Sequence, residues 1–144
     1  GPDRPRPSAR YVARVRYLSP EWLDAAGHAL AADTALTEAL AGISLTIEQV
    51  VDASPDGTAG SWHLAIDDGR VTLIEGPAST PALRFTTSYE TATQIASGAL
   101  PAQRAFVEGR LRVGGDLALL ITHHRAVSAV DDALASVRAR TTYQ

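Results

Sequence analysis

The sequence predicts a two-layer α+β domain: a five-stranded, mostly antiparallel sheet covered on one face by helices. Three observations lead there. At 144 residues the chain has the size of one domain with one core. Segments in which apolar and polar residues alternate fall together in its middle and are joined by turn signals, the pattern of antiparallel strands with one wet face. Segments with apolar residues at helical spacing stand at both ends, each with a single stripe that must be buried against something. A composition of 45% hydrophobic and 20% charged residues belongs to a folded chain rather than a disordered one.

The first helix opens at Ser19, whose hydroxyl can cap free N–H groups. Pro20 suits the first helical position, where its missing N–H is not needed, and Glu21 suits the positive helix end. Trp22, Ala26, Ala29, Leu36 and Leu40 recur at helical spacing, so one helix is expected up to Gly42, with Gly27 tolerated inside it. Ile43, Leu45 and Ile47 then alternate with Ser44, Thr46 and Glu48 as a strand, and residues 52–60 are rich in turn formers. Trp62, Leu64 and Ile66 alternate with His63, Ala65 and Asp67, and Asp68-Gly69 is a hairpin signal ahead of a strand over residues 71–74. A Pro-bounded loop leads to a strand carrying Leu83, Phe85 and Thr87.

The period then returns to helical. Ser88 can cap a short helix from Tyr89 to Ser97, closed by Gly98, and Pro101 opens a second one through Val107, closed by Gly109. Residues 110–114 alternate again as a brief fifth strand. Asp116 caps the longest helix, expected to reach Arg140 with Leu117, Leu120, Ile121, Val127, Val130, Leu134 and Val137 along one side. If the two layers do not fill their interface, the space between them is an apolar pocket.

What the chain lacks excludes whole chemistries. It has no Cys, Met, Lys or Asn, and all 13 of its basic residues are Arg. Disulfides, Cys-ligated metals, thiol nucleophiles, Schiff bases and the lysine of a phosphate-binding loop are therefore out. Gly1-Pro2 without an initiating Met reads as the remnant of a cleaved expression tag. Residues 1–16 hold five Arg against one Asp, whereas the rest holds eight Arg against fifteen acids. This Arg- and Pro-rich arm is read as a solvated tail; no aromatic-and-basic surface extends it into a nucleic-acid footprint. The longest apolar run, Leu117 to Ile121, is far short of the ~20 residues of a membrane span, so no stable membrane insertion is expected and the chain reads as soluble and cytoplasmic.

The stretch Ala105-Phe106-Val107-Glu108-Gly109-Arg110-Leu111-Arg112-Val113-Gly114-Gly115-Asp116-Leu117 is similar to the signature of the sterol carrier protein type-2 domain family. Gly98 before Leu100-Pro101 and the run Trp62-His63-Leu64-Ala65-Ile66-Asp67-Asp68-Gly69 resemble that family's helix turn and hairpin. Leu18-Ser19-Pro20-Glu21-Trp22 resembles the start of bacterial single-domain members. The resemblance covers about residues 17–141. It implies a sheet and helices around an apolar tunnel that binds lipids, fatty acids or fatty acyl-CoA, with no cofactor. With no Lys, only Arg could meet an acyl-CoA phosphate.

The expected lipid-binding residues are Trp22, Trp62, Phe85, Phe106, Leu117, Leu120, Ile121 and His124. His123 and His124 both fall within the apolar arc of the last helix. Either they form a polar pair inside the chamber, or one is bonded to a backbone carbonyl while the other sits at the rim. No His or carboxylate stands one turn from both, so no metal site is expected. His63 with Asp67 reads as a polar outer sheet face, Asp24 with His28 as an exposed helical pair. Gly114-Gly115 resembles a phosphate-binding turn, but Asp116 would repel the phosphate. No catalytic constellation is visible, and no Gly-x-Ser-x-Gly nucleophile motif is present. The sequence thus points to non-catalytic binding or carriage of a fatty acid, fatty acyl or isoprenoid- or sterol-like molecule. The alternatives are a structural module that docks a partner enzyme with its tunnel filled by side chains, and lipid chemistry through His123 and His124. The oligomeric state is not legible.

Overall fold

Five strands form the central sheet in the order β4-β3-β2-β5-β6: β2 (Ser44–Asp52), β3 (Gly60–Asp67), β4 (Arg70–Glu75), β5 (Leu83–Ser88) and β6 (Leu111–Gly115). The computed structural model describes residues 14–52 and 60–143. Four further rules of local chemistry set the helices around this sheet. Ser19 caps α1 (Pro20–Ala32), its Oγ accepting from Trp22 N–H at 3.1 Å, with Pro20 inside the first turn. Ser88 caps α3 (Tyr89–Ala96) in the same way, accepting from Thr91 N–H at 3.1 Å. The short α4 (Ala102–Val107) follows Pro101.

Two expected helices are each divided. The first is broken at Asp33 into α1 and α2 (Thr34–Ala39): Asp33 is extended, with φ −81° and ψ 108°, and its side chain accepts from Leu36 N–H at 2.9 Å. An aspartate that caps the following turn cannot also continue the helix before it. The last is broken at His123, whose φ of −114° and ψ of 31° separate α5 (Ala118–Thr122) from α6 (His124–Arg138). The second strand is longer than expected, reaching Asp52; the turn-rich residues beyond it, 53–59, lie outside the described residues, as do residues 1–13 of the Arg-rich arm.

The ends also close on each other. β1 (Val15–Arg16) pairs in parallel with β7 (Thr141–Thr142), so the fold takes in two residues that the sequence assigns to the arm. Tyr17, buried beside them, stacks edge-on against Trp22 at 4.9 Å between ring centroids and lies 5.3 Å from Tyr143. Burial, reinforced by Tyr143 and Tyr89, holds its phenol well above the usual tyrosine range.

The sheet is mixed, and one pairing decides its shape. β2–β3, β3–β4 and β5–β6 are antiparallel, whereas β2 and β5 run parallel with Ile47 opposite Leu83. Asp68-Gly69 makes the β3–β4 hairpin turn with positive φ at both residues (45° and 87°), as a type I′ turn demands. Strand alternation sends Leu45, Ile47, Leu64, Ile66, Val71 and Leu83 to one face, where α1, α2 and α6 cover them.

The opposite face carries the link between β4 and β5, which must cross β3 and β2. His63 Nδ1 meets Gly76 O at 2.9 Å, and Ala82 N–H donates to Thr46 O at 2.9 Å. Between them Glu48, buried at 2% exposure, accepts from Ala78 N–H at 2.7 Å and from Arg84 Nε at 2.8 Å. Burial alone would raise the Glu48 pKa. The Ala78 N–H and the Arg84 guanidinium outweigh it, and the carboxyl is held below its usual range.

The Gly114-Gly115-Asp116 turn now has a structural reason. Gly115 has φ +96°, and a Cβ there would stand 2.2 Å from Ala82 O. Asp116 N–H donates to that same carbonyl at 2.9 Å, and its Oδ1 accepts from Ala118 N–H at 3.2 Å as the chain enters α5. Gly114 has open space around it. In urea unfolding, Gly115→Ala is expected to lower stability by about 3 kcal/mol, and Gly114→Ala to change it by no more than about 0.5 kcal/mol.

Glu48→Gln gives a pH-dependent loss. A folded pKa below the unfolded one means that the ion's contribution is complete above the unfolded carboxyl pKa of about 4.3 and disappears as pH falls through the folded value. The stability difference between wild type and variant should be about 1.5 kcal/mol at neutral pH and shrink towards zero below about pH 4. A difference that grows on acidification would contradict the clamp.

Candidate functional site

The helix-covered face of the sheet holds an apolar gap under α5 and the first turns of α6. Leu45, Ile47, Ile66 and Leu83 form its floor, Leu119, His123, Ala126, Val127 and Val130 its roof, and Leu40 closes one side. Nine of these ten side chains are apolar, so the space can reward only apolar contact along its length, with His123 as its one polar wall. The cavity volume is about 10 Å³, room for about one water molecule. Small-molecule sites usually measure about 300 Å³ or more. The side chains therefore close most of the interface, and a larger occupant has to part the layers.

None of the eight residues expected to bind lipid lines this gap. Trp22 is buried at 5% exposure in the aromatic cluster with Tyr17 and lies 6.0 Å from Trp62. Trp62 is half-buried and packs against both large apolar clusters. Phe85 packs beside Leu100, Ala105 and Leu111 in a third, smaller one. Leu120 is half-buried; Phe106, Leu117 and Ile121 are exposed at 52%, 49% and 80%. In α4 the buried residue is Ala105, at 0% exposure, and Phe106 is turned from it by the helical step of about 100°.

The last helix has the right region and a different inward face. Leu119, His123, Ala126, Val130, Ala133 and Val137 recur three or four residues apart and point to the sheet or to other helices. The expected stripe shares Val127, Val130 and Val137 with this face and differs in the first turns, where Leu119 and His123 face inward in place of Leu117, Leu120 and Ile121. Ala126 and Ala133 were the missed signal: small residues at helical spacing mark where a helix lies close to its neighbour. The histidines divide accordingly. His123 is half-buried on the gap, while His124 is exposed with Nδ1 3.1 Å from Ile121 O.

α5 is held loosely. It buries none of its residues, whereas α6 buries Ala126, Ala133 and Val137. His123 is the joint between the two segments: its N–H donates to Leu119 O at 2.8 Å and its carbonyl accepts from Val127 N–H at 3.1 Å, while its own backbone leaves the helical region.

The other candidate groups do not assemble. Asp24 and His28 are 3.8 Å apart with both side chains about four-fifths exposed. His63 faces Gly76 O on the outer sheet face. Among the described residues no group of three His, Asp or Glu could hold a metal ion, and no helix is long and apolar enough to cross a membrane.

Comparison with known proteins adds a family and a fold. The model of the SCP-2 sterol transfer family matches residues 26–127. A crystal structure of sterol carrier protein 2 superposes with a TM-score of 0.69 at 18% identity, covering 82% of this chain and 96% of that one. A conserved hypothetical protein from Thermus thermophilus gives 0.70 at 17% identity, covering 88% and 92%. A sec-alkyl sulfatase variant gives 0.56 at 21% identity, but the matched part is 16% of that chain against 76% of this one. At these identities the likeness is one of fold. No curated protein matches the chain in sequence.

The looseness of α5 is measurable. Hydrogen exchange should show the amides of residues 118–122 exchanging much faster than those of residues 126–137, with local opening free energies lower by about 2 kcal/mol or more. Equal protection across the break at His123 would mean that α5 and α6 open as one unit.

Proposed function

The chain belongs to the SCP-2 sterol transfer family, and on that premise we propose that it binds a lipid-like apolar molecule between its helices and its sheet and carries it without making or breaking a bond. The observation that carries this reading is the apolar gap, whose roof includes Leu119 of α5, a helix that buries none of its own residues. An occupant lifts α5 and packs against Ile47, Leu83 and Val130. Burial of an alkyl chain or ring system supplies the free energy at about 25 cal/mol per Å² of apolar surface removed from water. Such a ligand is a fatty acid, a fatty acyl compound or an isoprenoid- or sterol-like molecule, held in the cytoplasm. No cofactor takes part.

A second reading has its own support. The gap is nearly filled, and Phe106, Val107, Leu117 and Ile121 leave apolar surface in solvent. Both features suit a module that docks a partner enzyme. The two readings separate on two residues. Leu119 roofs the gap, whereas Ile121 is 80% exposed on the same short helix.

Delipidated protein should take up palmitic acid, a long-chain alcohol or a sterol as one molecule per chain in native mass spectrometry. Leu119→Ser should weaken that uptake about tenfold through lost apolar contact, and Ile121→Ser should leave it unchanged. No uptake of any of the three probes, together with protein capture that Ile121→Ser abolishes, would replace the carrier reading with the docking one.

A further inference from the structure

The gap floor continues along the strands into a row that is not wholly apolar. Next to Ile47 and Leu83 on the same sheet face come Gln49 of β2 and Phe85 of β5, and Gln49 pairs across to Trp62 of β3. Successive same-face residues on a strand lie about 7 Å apart, so this row is one step from the cavity. Trp62 packs against the cluster that contains the gap floor and also against the neighbouring cluster around Trp22.

Two polar groups in this row are poorly served. The indole Nε1 of Trp62 is buried and has no hydrogen-bond partner. Leaving a buried donor unpaired costs about 1–3 kcal/mol, and the great majority of buried polar groups avoid it. Among the described residues, the bonds of the Gln49 carboxamide are long, 3.4 Å to Val50 O and 3.5 Å to Thr87 Oγ1. It is half-buried and offers both a donor and an acceptor.

The charge nearby limits what can satisfy them. No Arg lines the gap, and the residue paired with Trp62 on its other side is Glu75, at the exposed edge strand. An anionic head group would lose its hydration here and find Glu75, not a cation, paired opposite Trp62. An ammonium, which has no acceptor, would leave the Trp62 N–H unpaired. Resting on the carrier reading, we propose that the Gln49–Trp62 row is the seat of an uncharged oxygen on the ligand: the natural ligand is an apolar molecule with a hydroxyl, ketone or ester carbonyl, rather than a free carboxylate or phosphate. The Trp62 N–H donates to that oxygen, and Gln49 turns its amide to it as donor or acceptor.

Matched probes of one chain length test this: dodecane, lauryl alcohol, methyl laurate and lauric acid, titrated into delipidated full-length protein. Lauryl alcohol and methyl laurate should bind about tenfold more tightly than dodecane or lauric acid, the worth of one good hydrogen bond in a dry site. The chain has two tryptophans, so the Trp62 indole N–H is one of two resolvable proton–nitrogen resonances. It should move downfield with the alcohol and the ester and not with dodecane. Trp62→Phe and Gln49→Leu should each erase the preference while dodecane affinity is retained. Tighter binding of lauric acid, equal binding of all four, or a preference that survives both substitutions would overturn the proposal. If a variant fails to fold, the indole shift in the wild-type protein decides alone. Uptake of none of the probes would sink the carrier reading itself, and this inference with it; uptake without preference sinks only the inference.

Discussion

Two neighbouring parallel strands cannot be joined by a tight turn, so β5 reaches β2 only by a chain that crosses the sheet, and Glu48 is where that crossing is fastened. Its carboxylate sits in the middle of the sheet, takes the Ala78 N–H from the crossing link and pairs with Arg84 on the strand to which the link leads. A buried carboxylate is a costly choice, which its partners must offset. Here they are also the groups that define the topology. The parallel register this fastening supports puts Leu83 beside Ile47, and those two side chains are the centre of the gap floor. The polar face of the sheet thus determines what the apolar face can hold.

The inner layer depends on the same crossing from the other end. Ala82, the last residue of the link, offers its carbonyl to Asp116 N–H, and that carbonyl is why residue 115 must be glycine. β6 is therefore released from the sheet at a fixed point and turns at once into α5, directly above Leu83. A link that closes the outer face also aims the roof of the inner one. The roof has little of its own to hold it, because its bulky residues Leu117 and Ile121 point into solvent while Leu119 alone of the helix faces the gap. On the carrier reading, opening begins at this short segment and its joint at His123, which carry Leu119 and His123 of the roof, while Ala126, Val127 and Val130 belong to the better-packed α6. A site that is nearly closed and a carrier that must open are compatible on these terms, since low-stability segments are where binding motions are drawn from.

The polar groups on the inner face give that layer a direction. His123 is a polar wall of the gap, and along the strands beyond Ile47 and Leu83 the residues Gln49 and Trp62, with its unpaired N–H, break the apolar run. A wholly apolar layer would accept an oily molecule in either orientation. On the proposed reading, neutral hydrogen-bonding groups at a particular row distinguish the two ends of the occupant.

Much of the fold was legible because its causes are local. The caps at Ser19 and Ser88, the Asp68-Gly69 hairpin and the five alternating strands are each decided within a few residues, and the structure carries each of them. The absence of Lys and Cys likewise bounded the chemistry by composition alone. The candidate site was much less legible. The sequence placed the pocket at the start of the last helix, but it chose Leu117, Leu120 and Ile121 over the arc through Leu119, His123 and Ala126, because bulk is visible in a sequence and proximity is not. Phe106 reads as a pocket wall by its side chain and is exposed because the small Ala105 beside it takes the buried position. Asp33 reads as a helical residue until its side chain is seen capping the next turn. The burial of Glu48 and the pairing of β2 with β5 have no local signature at all, since they join residues about 36 apart. Periodicity and capping belong to the chain itself. Which of two possible apolar arcs faces inward, and how nearly the side chains fill the space beneath it, is decided only when distant elements meet.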